Sequence, residues 1–174
     1  MTPLSKAPTE KQTLCDLFRA LYSGLTDPLF PLSATDAKAQ LTDIHQRIDD
    51  LSRETLQCDP TLDLKDQLFE TLMNRFDLLY DCRPILKKLY ELGPCMPFVA
   101  TSQLSHLYTY FSQRVQVLPI GKKGLMSAAL VGVYVKTLSV WFRDETPDLS
   151  YTMAAVDHDL RRVYDLLDRE GGPG

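Results

Sequence analysis

The chain lacks the short motifs that announce common chemistries. It has no GxGxxG run, no P-loop, no GxSxG turn and no HExxH pair. Dinucleotide binding, nucleotide hydrolysis, serine hydrolysis and zinc proteolysis therefore have no motif to rest on. Cysteine is scarce, confined to Cys15, Cys58, Cys82 and Cys95. No two form a CxxC pair and none has a histidine at zinc-ligand spacing, so reduced thiols in a cytosolic protein are expected. The histidines His45, His106 and His158 fall singly on three different predicted helices. A ligand or general base needs a partner in reach, so all three are expected on the surface or on helix flanks. No dense Lys/Arg cluster occurs and the net charge is -4, which argues against a protein built to hold phosphate backbones. Met1 to Thr9 lacks an apolar core and an Arg/Ser-rich amphipathic run, so neither a secretory nor a mitochondrial address is expected. Alternating strand patterns, internal repeats and low-complexity blocks are also missing.

What remains is helical periodicity. With 174 residues, 44% hydrophobic and 24% charged, the chain is long enough for one ordinary core. Thr9 and Gln12 form a capping-box signal, followed by Leu14, Leu17, Phe18, Leu21 and Leu25 at helical spacing. Pro28 and Pro31 stop that helix. Ser33 caps a second, with Ala37, Leu41, Ile44, Ile48, Leu51 and Thr55 on one seam, ending before Cys58-Asp59-Pro60. Asp63 opens a third, lined by Leu64, Leu68, Phe69, Leu72, Phe76 and Leu79. Pro84 sits at the start of a short fourth, which Gly93-Pro94 ends. A fifth is expected over 97–117.

The stretch 124–142 is apolar or small almost throughout, with Lys136 its one charge. It approaches the length of a membrane span, but its Gly, Ser and Ala content and charged flanks favour a packed helix. Such a helix buries one face in its own core and offers the other to a subunit, a lipid or a ligand. Asp144-Glu145-Thr146-Pro147-Asp148 breaks it. These acidic residues suit the dipole of the next helix, for which Thr146 can cap and Pro147 can take the first position. No glycine-containing calcium loop is present. The last helix carries Leu149, Met153, Val156, Leu160, Val163, Tyr164 and Leu167, with Asp157 and Arg161 spaced as a surface ion pair. The reading is an all-α bundle of about seven helices.

Two segments resemble a known family. Arg75-Phe76-Asp77-Leu78-Leu79 with Arg83-Pro84-Ile85-Leu86 is similar to part of the ligand-binding domain of TetR-like bacterial proteins. The span 122–166 carries Lys122-Lys123, Ala128-Ala129, Tyr134, Thr137 and the turn Asp144-Glu145-Thr146-Pro147-Asp148-Leu149. It resembles the C-terminal part of the coenzyme-Q biosynthesis accessory family Coq-nine and its TetR-like relatives. Glu145 departs from the small hydroxyl residue expected in that turn. The resemblance covers about two-thirds of the chain, roughly residues 60 to 168.

It implies a TetR-like C-terminal ligand-binding and dimerisation bundle, with residues 1–32 as the remnant of a DNA-binding module, 33–170 as the ligand and dimer domain, and 171–174 as a disordered tail. It implies an apolar lipid or isoprenoid quinone-like ligand, a homodimer, a ubiquinone-pathway enzyme as partner and peripheral membrane contact by a cytoplasmic protein. The candidate ligand-lining residues are Phe69, Met73, Phe76, Leu104, Tyr108, Phe111, Met126, Leu130 and Tyr134. The candidate dimer residues are Gly132, Val133, Lys136, Val140, Met153, Val156, Leu160 and Val163. Lys136 is expected at the rim of one of those surfaces, stem buried and ammonium wet.

The pattern alone does not separate a filled core from a pocket at the aromatic and methionine positions. A TetR repressor needs three helices before its connecting helix, and here one helix precedes Ser33, so the helix-turn-helix is lost or degenerate and no nucleic acid is expected. The expectation is a non-enzymatic lipid-binding accessory protein, without catalytic residues, metal or cofactor. The alternatives are a TetR-derived regulator, or a dimeric interaction module, that no longer reads DNA, and a structural dimer with no ligand.

Overall fold

The computed structural model describes residues 10–56, 61–92 and 97–169. Among them are seven α-helices and no strand, as the periodicity predicts. They are α1 (Glu10–Thr26), α2 (Ala34–Thr55), α3 (Leu64–Leu78), α4 (Arg83–Leu92), α5 (Pro97–Arg114), α6 (Ile120–Trp141) and α7 (Ser150–Arg169), with a single 3-10 turn at Tyr80–Cys82 before α4. Thr9, Cys58-Asp59-Pro60, Gly93-Pro94 and the 171–174 tail lie outside the described residues.

Local chemistry accounts for the boundaries. Ser33 Oγ accepts from Asp36 N at 3.1 Å and Asp63 Oδ1 from Asp66 N at 2.8 Å, each meeting one of the orphan donors of a helix start. After α1, Asp27 turns the chain by accepting from the backbone N–H groups of Leu29 and Phe30. Only residues 27–33 separate α1 from α2. Helix α5 stops at Arg114, short of the expected 117, because the chain tightens at Val115, whose carbonyl accepts from Leu118 N at 3.1 Å. Helix α6 starts four residues before 124. Pro119 presets the entry and its carbonyl accepts from Lys123 N at 2.8 Å.

Helix α6 packs between α5 and α7. Helix α5 also meets α2, α2 meets α1 and α3, and α3 closes onto α7. Helix α4 packs on α1. Large side chains fill the centre: Phe18, Phe76, Phe111 and Trp141 are all buried. The Phe76 ring stacks on Tyr134 at 4.9 Å and lies 5.5 Å from Trp141, within the range where aromatic pairs add to area burial. Helix α1 shares this core through Leu14, Phe18, Leu21 and Leu25.

A disulfide joins Cys15 of α1 to Cys82 of the 3-10 turn. This corrects the expectation of reduced thiols for that pair. The two cysteines are 67 positions apart in sequence, and spacing at that range carries no pairing information. Cross-linking so long a loop removes conformational freedom chiefly from the unfolded chain.

The turn between α6 and α7 is a compact polar knot. Buried Asp144 accepts through Oδ2 from Thr152 N at 2.8 Å and Thr152 Oγ1 at 2.7 Å, and through Oδ1 from Thr146 N at 3.1 Å and from the Thr146 hydroxyl. Burial pushes this carboxyl up, but the Thr146 and Thr152 hydrogen bonds outweigh burial and hold it below the ordinary carboxylate value. Arg83 donates to the carbonyls of Trp141 and Asp144, placing a cation on the α6 C-terminus. Thr146 Oγ1 accepts from Ser150 N at 3.0 Å, so the threonine meets the first backbone donor of α7 from four residues upstream and not from the N-cap position expected for it, which Leu149 occupies.

Pro147 does not open the helix. Leu149 adopts φ 54 with its side chain buried, and α7 begins only at Ser150. The left-handed conformation is unfavourable for leucine, and the Asp144 hydrogen bonds and apolar burial hold it in place. Asp144→Ala should lower the unfolding free energy by about 3 kcal/mol in denaturant titration. A loss below about 0.5 kcal/mol, the level of an ordinary surface change, would show that the knot does not hold the α6–α7 corner.

Candidate functional site

A cavity of about 420 Å³ opens between α4, α5 and the C-terminal half of α6, with α1 and α3 behind it. Its walls are mainly apolar: Leu86 and Leu89 from α4, Val99 and Leu107 from α5, Val135 and Leu138 from α6. Tyr90 (47% exposed) and Leu104 (43% exposed) stand on the solvent side. Tyr90 lies against Phe142 at 5.4 Å. The wall helices follow from sequence: Leu86 and Leu89, Leu104 and Leu107, and Val135 and Leu138 each stand three positions apart on one side of their helix.

The inner end differs in chemistry. His45 of α2, Arg75 of α3, Gln103 of α5 and Tyr134 of α6 meet there. Arg75 is 1% exposed and cannot shed its charge. Its Nη1 donates to Asp49 Oδ1 at 2.8 Å, and its guanidinium lies 4.4 Å from the centre of the Tyr110 ring. Asp49 Oδ2 contacts His106 Nε2 at 3.0 Å. His106 in turn stacks on His45 with ring centroids 4.1 Å apart and 13° between planes. Ser52 extends the polar seam, bonding to the Tyr110 hydroxyl at 2.9 Å and donating to Asn74 Oδ1 at 3.0 Å.

The electrostatics follow from burial. Burial pulls Arg75 down, but Tyr134, Asp49 and Tyr110 together raise it above its ordinary value, so it stays a cation. Burial pushes Asp49 up, and the contacts with His106 and Arg75 overcome that and hold it ionised below the ordinary carboxylate value. His45 goes the other way. Burial first, then the neighbouring His106 and Arg75, lower it from 6.5 to about 3. It is a neutral imidazole at physiological pH. Neither ring nitrogen has a geometric hydrogen-bond partner among the described residues, while the nearby Gln103 side chain acts weakly in the opposite direction, favouring the protonated ring. Arg75 Nε is also buried without a partner among the described residues.

The expected ligand-lining residues divide. Leu104 and Tyr134 line the cavity. Phe76 and Phe111 pack behind Tyr134, with Phe111 6.2 Å from its ring. Met73, Met126 and Leu130 are buried in the core, Phe69 packs against it half-buried, and Tyr108 is exposed on α5. Of the expected dimer residues, Val133, Val156 and Leu160 are buried within this chain, where α6 packs on α7. Val140, Met153 and Val163 are half-buried, and Gly132 is exposed with open space above its Cα. Lys136 is exposed and donates to Asp159 Oδ1 of α7 at 2.6 Å. Asp157 and Arg161 pair as expected, at 2.8 Å.

The placement of the histidines as isolated surface or flank residues is corrected for two of them. His45 is 4% exposed and stacked on His106, and His106 is half-buried against Asp49. His158 is exposed on α7. The missed signal lies in the helical register. His45 follows Leu41 by four and precedes Ile48 by three and Ser52 by seven, so it lies on the apolar stripe of α2. Arg75 falls likewise between Leu72 and Leu79 on the buried face of α3. A charge on a buried face demands an opposite charge from another element, and Asp49 is that partner.

Comparison with protein-family models, with curated proteins and with solved structures gives no match for this chain.

The depressed His45 has a consequence for stability. The unfolded chain takes up this proton as pH falls through 6.5, whereas the folded chain does so only near pH 3. The unfolded state therefore binds more protons between these values, and stability falls with acidification. Asp77, whose carboxyl is raised by burial, acts in the opposite direction, and only near the foot of this window. Denaturant titration should find the chain less stable at pH 5 than at pH 7, with a slope of up to about 1.4 kcal/mol per pH unit. His45→Phe should flatten it. A flat profile for the unaltered chain over this range would contradict the neutral, buried assignment.

Proposed function

We propose that this chain is a non-enzymatic binding protein for an elongated apolar ligand, lipid or isoprenoid in character, held in the cavity between α4, α5 and α6. The observation that carries this reading is the cavity itself: about 420 Å³, apolar walls, and an inner end of buried polar atoms without partners. Its size falls in the range of small-molecule sites, and such sites combine apolar walls with a few polar groups. A packed core is expected to leave no such space. Burial of the ligand chain would supply affinity at about 25 cal/mol per Å² before ordering costs.

The resemblance of 122–166 to the coenzyme-Q accessory family, beside that of 75–86 to TetR-like ligand-binding domains, supports an isoprenoid quinone or its precursor as the ligand, and an accessory role beside an enzyme of that pathway. An interaction module without ligand gives no account of the cavity. The helix α6 is long and apolar enough to cross a membrane by length and composition. In this fold it packs against α5 and α7, and we read it as a bundle helix.

Ala100 is half-buried on the cavity wall, so a larger side chain there would occupy ligand space. Ala100→Phe should weaken binding of the fluorescent apolar probe N-phenyl-naphthylamine at least tenfold, while the helical circular dichroism and thermal midpoint stay near those of the unaltered chain. Equal probe binding by both proteins would overturn the assignment of the cavity as the site.

A further inference from the structure

The inner end of the cavity carries a more specific statement, which rests on the binding role proposed above. We propose that it selects an apolar ligand ending in an uncharged hydroxyl, alcohol or phenol, over the same chain ending in a carboxylate.

The groups facing the inner end are Arg75, Asp49, His106, His45 and Tyr134. The Arg75 cation is already met by Asp49 at 2.8 Å, and His45 is neutral because burial disfavours its protonated form. His106 is likewise committed, to the second Asp49 oxygen at 3.0 Å, and the neutral imidazole of His45 adds no charge. An entering carboxylate would be stripped of water with no uncommitted cation to receive it, and a buried unpaired charge is strongly disfavoured. Proton uptake by His45 would supply a cation only against the burial that keeps it neutral.

Hydrogen bonding points the same way. Arg75 Nε–H is an unused donor, and the neutral His45 ring has one N–H and one lone pair, both unused. A hydroxyl can accept from Arg75 Nε–H through its oxygen and donate its own proton to the free His45 nitrogen. A carbonyl or carboxylate accepts only and leaves the imidazole lone pair unmet. A bare hydrocarbon leaves both residues unmet. The hydroxyl is the terminal group that satisfies donor and acceptor together, and meeting buried polar groups in this way discriminates more sharply than apolar fit does. Tyr134 and Gln103 stand at the same end, and the apolar wall from Leu107 to Leu138 receives the chain.

The test is displacement of N-phenyl-naphthylamine from the full chain by decanol and by decanoate at neutral pH. Decanol should displace the probe at concentrations at least tenfold lower than decanoate. Removing the acceptor with His45→Leu should narrow that ratio. Asp49→Asn, which leaves Arg75 without its counter-charge, should shift preference toward decanoate, an effect that a purely structural role for Asp49 would not produce. Displacement by decanoate at equal or lower concentration in the unaltered chain would overturn the hydroxyl preference while leaving the cavity as a binding site. Displacement by neither ligand would overturn both readings. An unchanged ratio in both variants would remove these residues as its source.

Discussion

The Arg75–Asp49 pair is the constraint on which the rest of the site depends. A guanidinium 1% exposed cannot be neutralised and cannot be left alone. Its counter-charge must come from another helix, and Asp49 of α2 supplies it at 2.8 Å. Asp49 has a second oxygen, and His106 of α5 occupies it. One carboxylate therefore fixes the mutual positions of α2, α3 and α5. The His45 ring stacks on His106 and is carried into the interior by that arrangement. Breaking such a pair by removing one partner costs far more than the pair contributes, because the survivor stays buried.

The outer half of the molecule is held by different means. The Asp144 knot joins α6 to α7, Arg83 ties the start of α4 to the end of α6, and the Cys15–Cys82 bridge ties α1 to the turn before α4. Helices α4 and α6 both carry cavity walls. These fixed corners let the walls stand apart without collapsing onto one another. A void of this size would otherwise be unfavourable, since its lining atoms forgo dispersion contacts on one side. The bundle is therefore stiff at its corners and open between them.

Much of this was legible in the sequence. The seven helices follow from 3.6-residue periodicity, and Ser33 and Asp63 mark starts that the structure confirms by hydrogen bond, whereas Thr146 stands four residues before the start it was expected to cap. Leu104 and Tyr134 aside, the cavity lining was not legible, because Phe76, Phe111 and Met126 have the same composition whether they line a pocket or fill a core. The distinction depends on how far α4 stands from α5, which no local pattern encodes. The polar cluster escaped for a related reason. His45 and Asp49 of α2, Arg75 of α3 and His106 of α5 come from three helices, and the partners that matter most lie on different ones. Only their positions on buried stripes, as with Arg75 between Leu72 and Leu79, hint that they must meet. The left-handed Leu149 was hidden too, since nothing at that leucine announces a turn that the Asp144 side chain imposes from five residues away.

The central claim is that the space between α4, α5 and α6 is a ligand chamber with a polar inner end. Mass spectrometry of the organic extract of the purified chain tests it most directly, with Ala100→Phe prepared in parallel. The account predicts an elongated apolar molecule retained by the unaltered chain and depleted in the variant. Repeated extracts free of any such molecule, and indistinguishable between the two proteins, would contradict it.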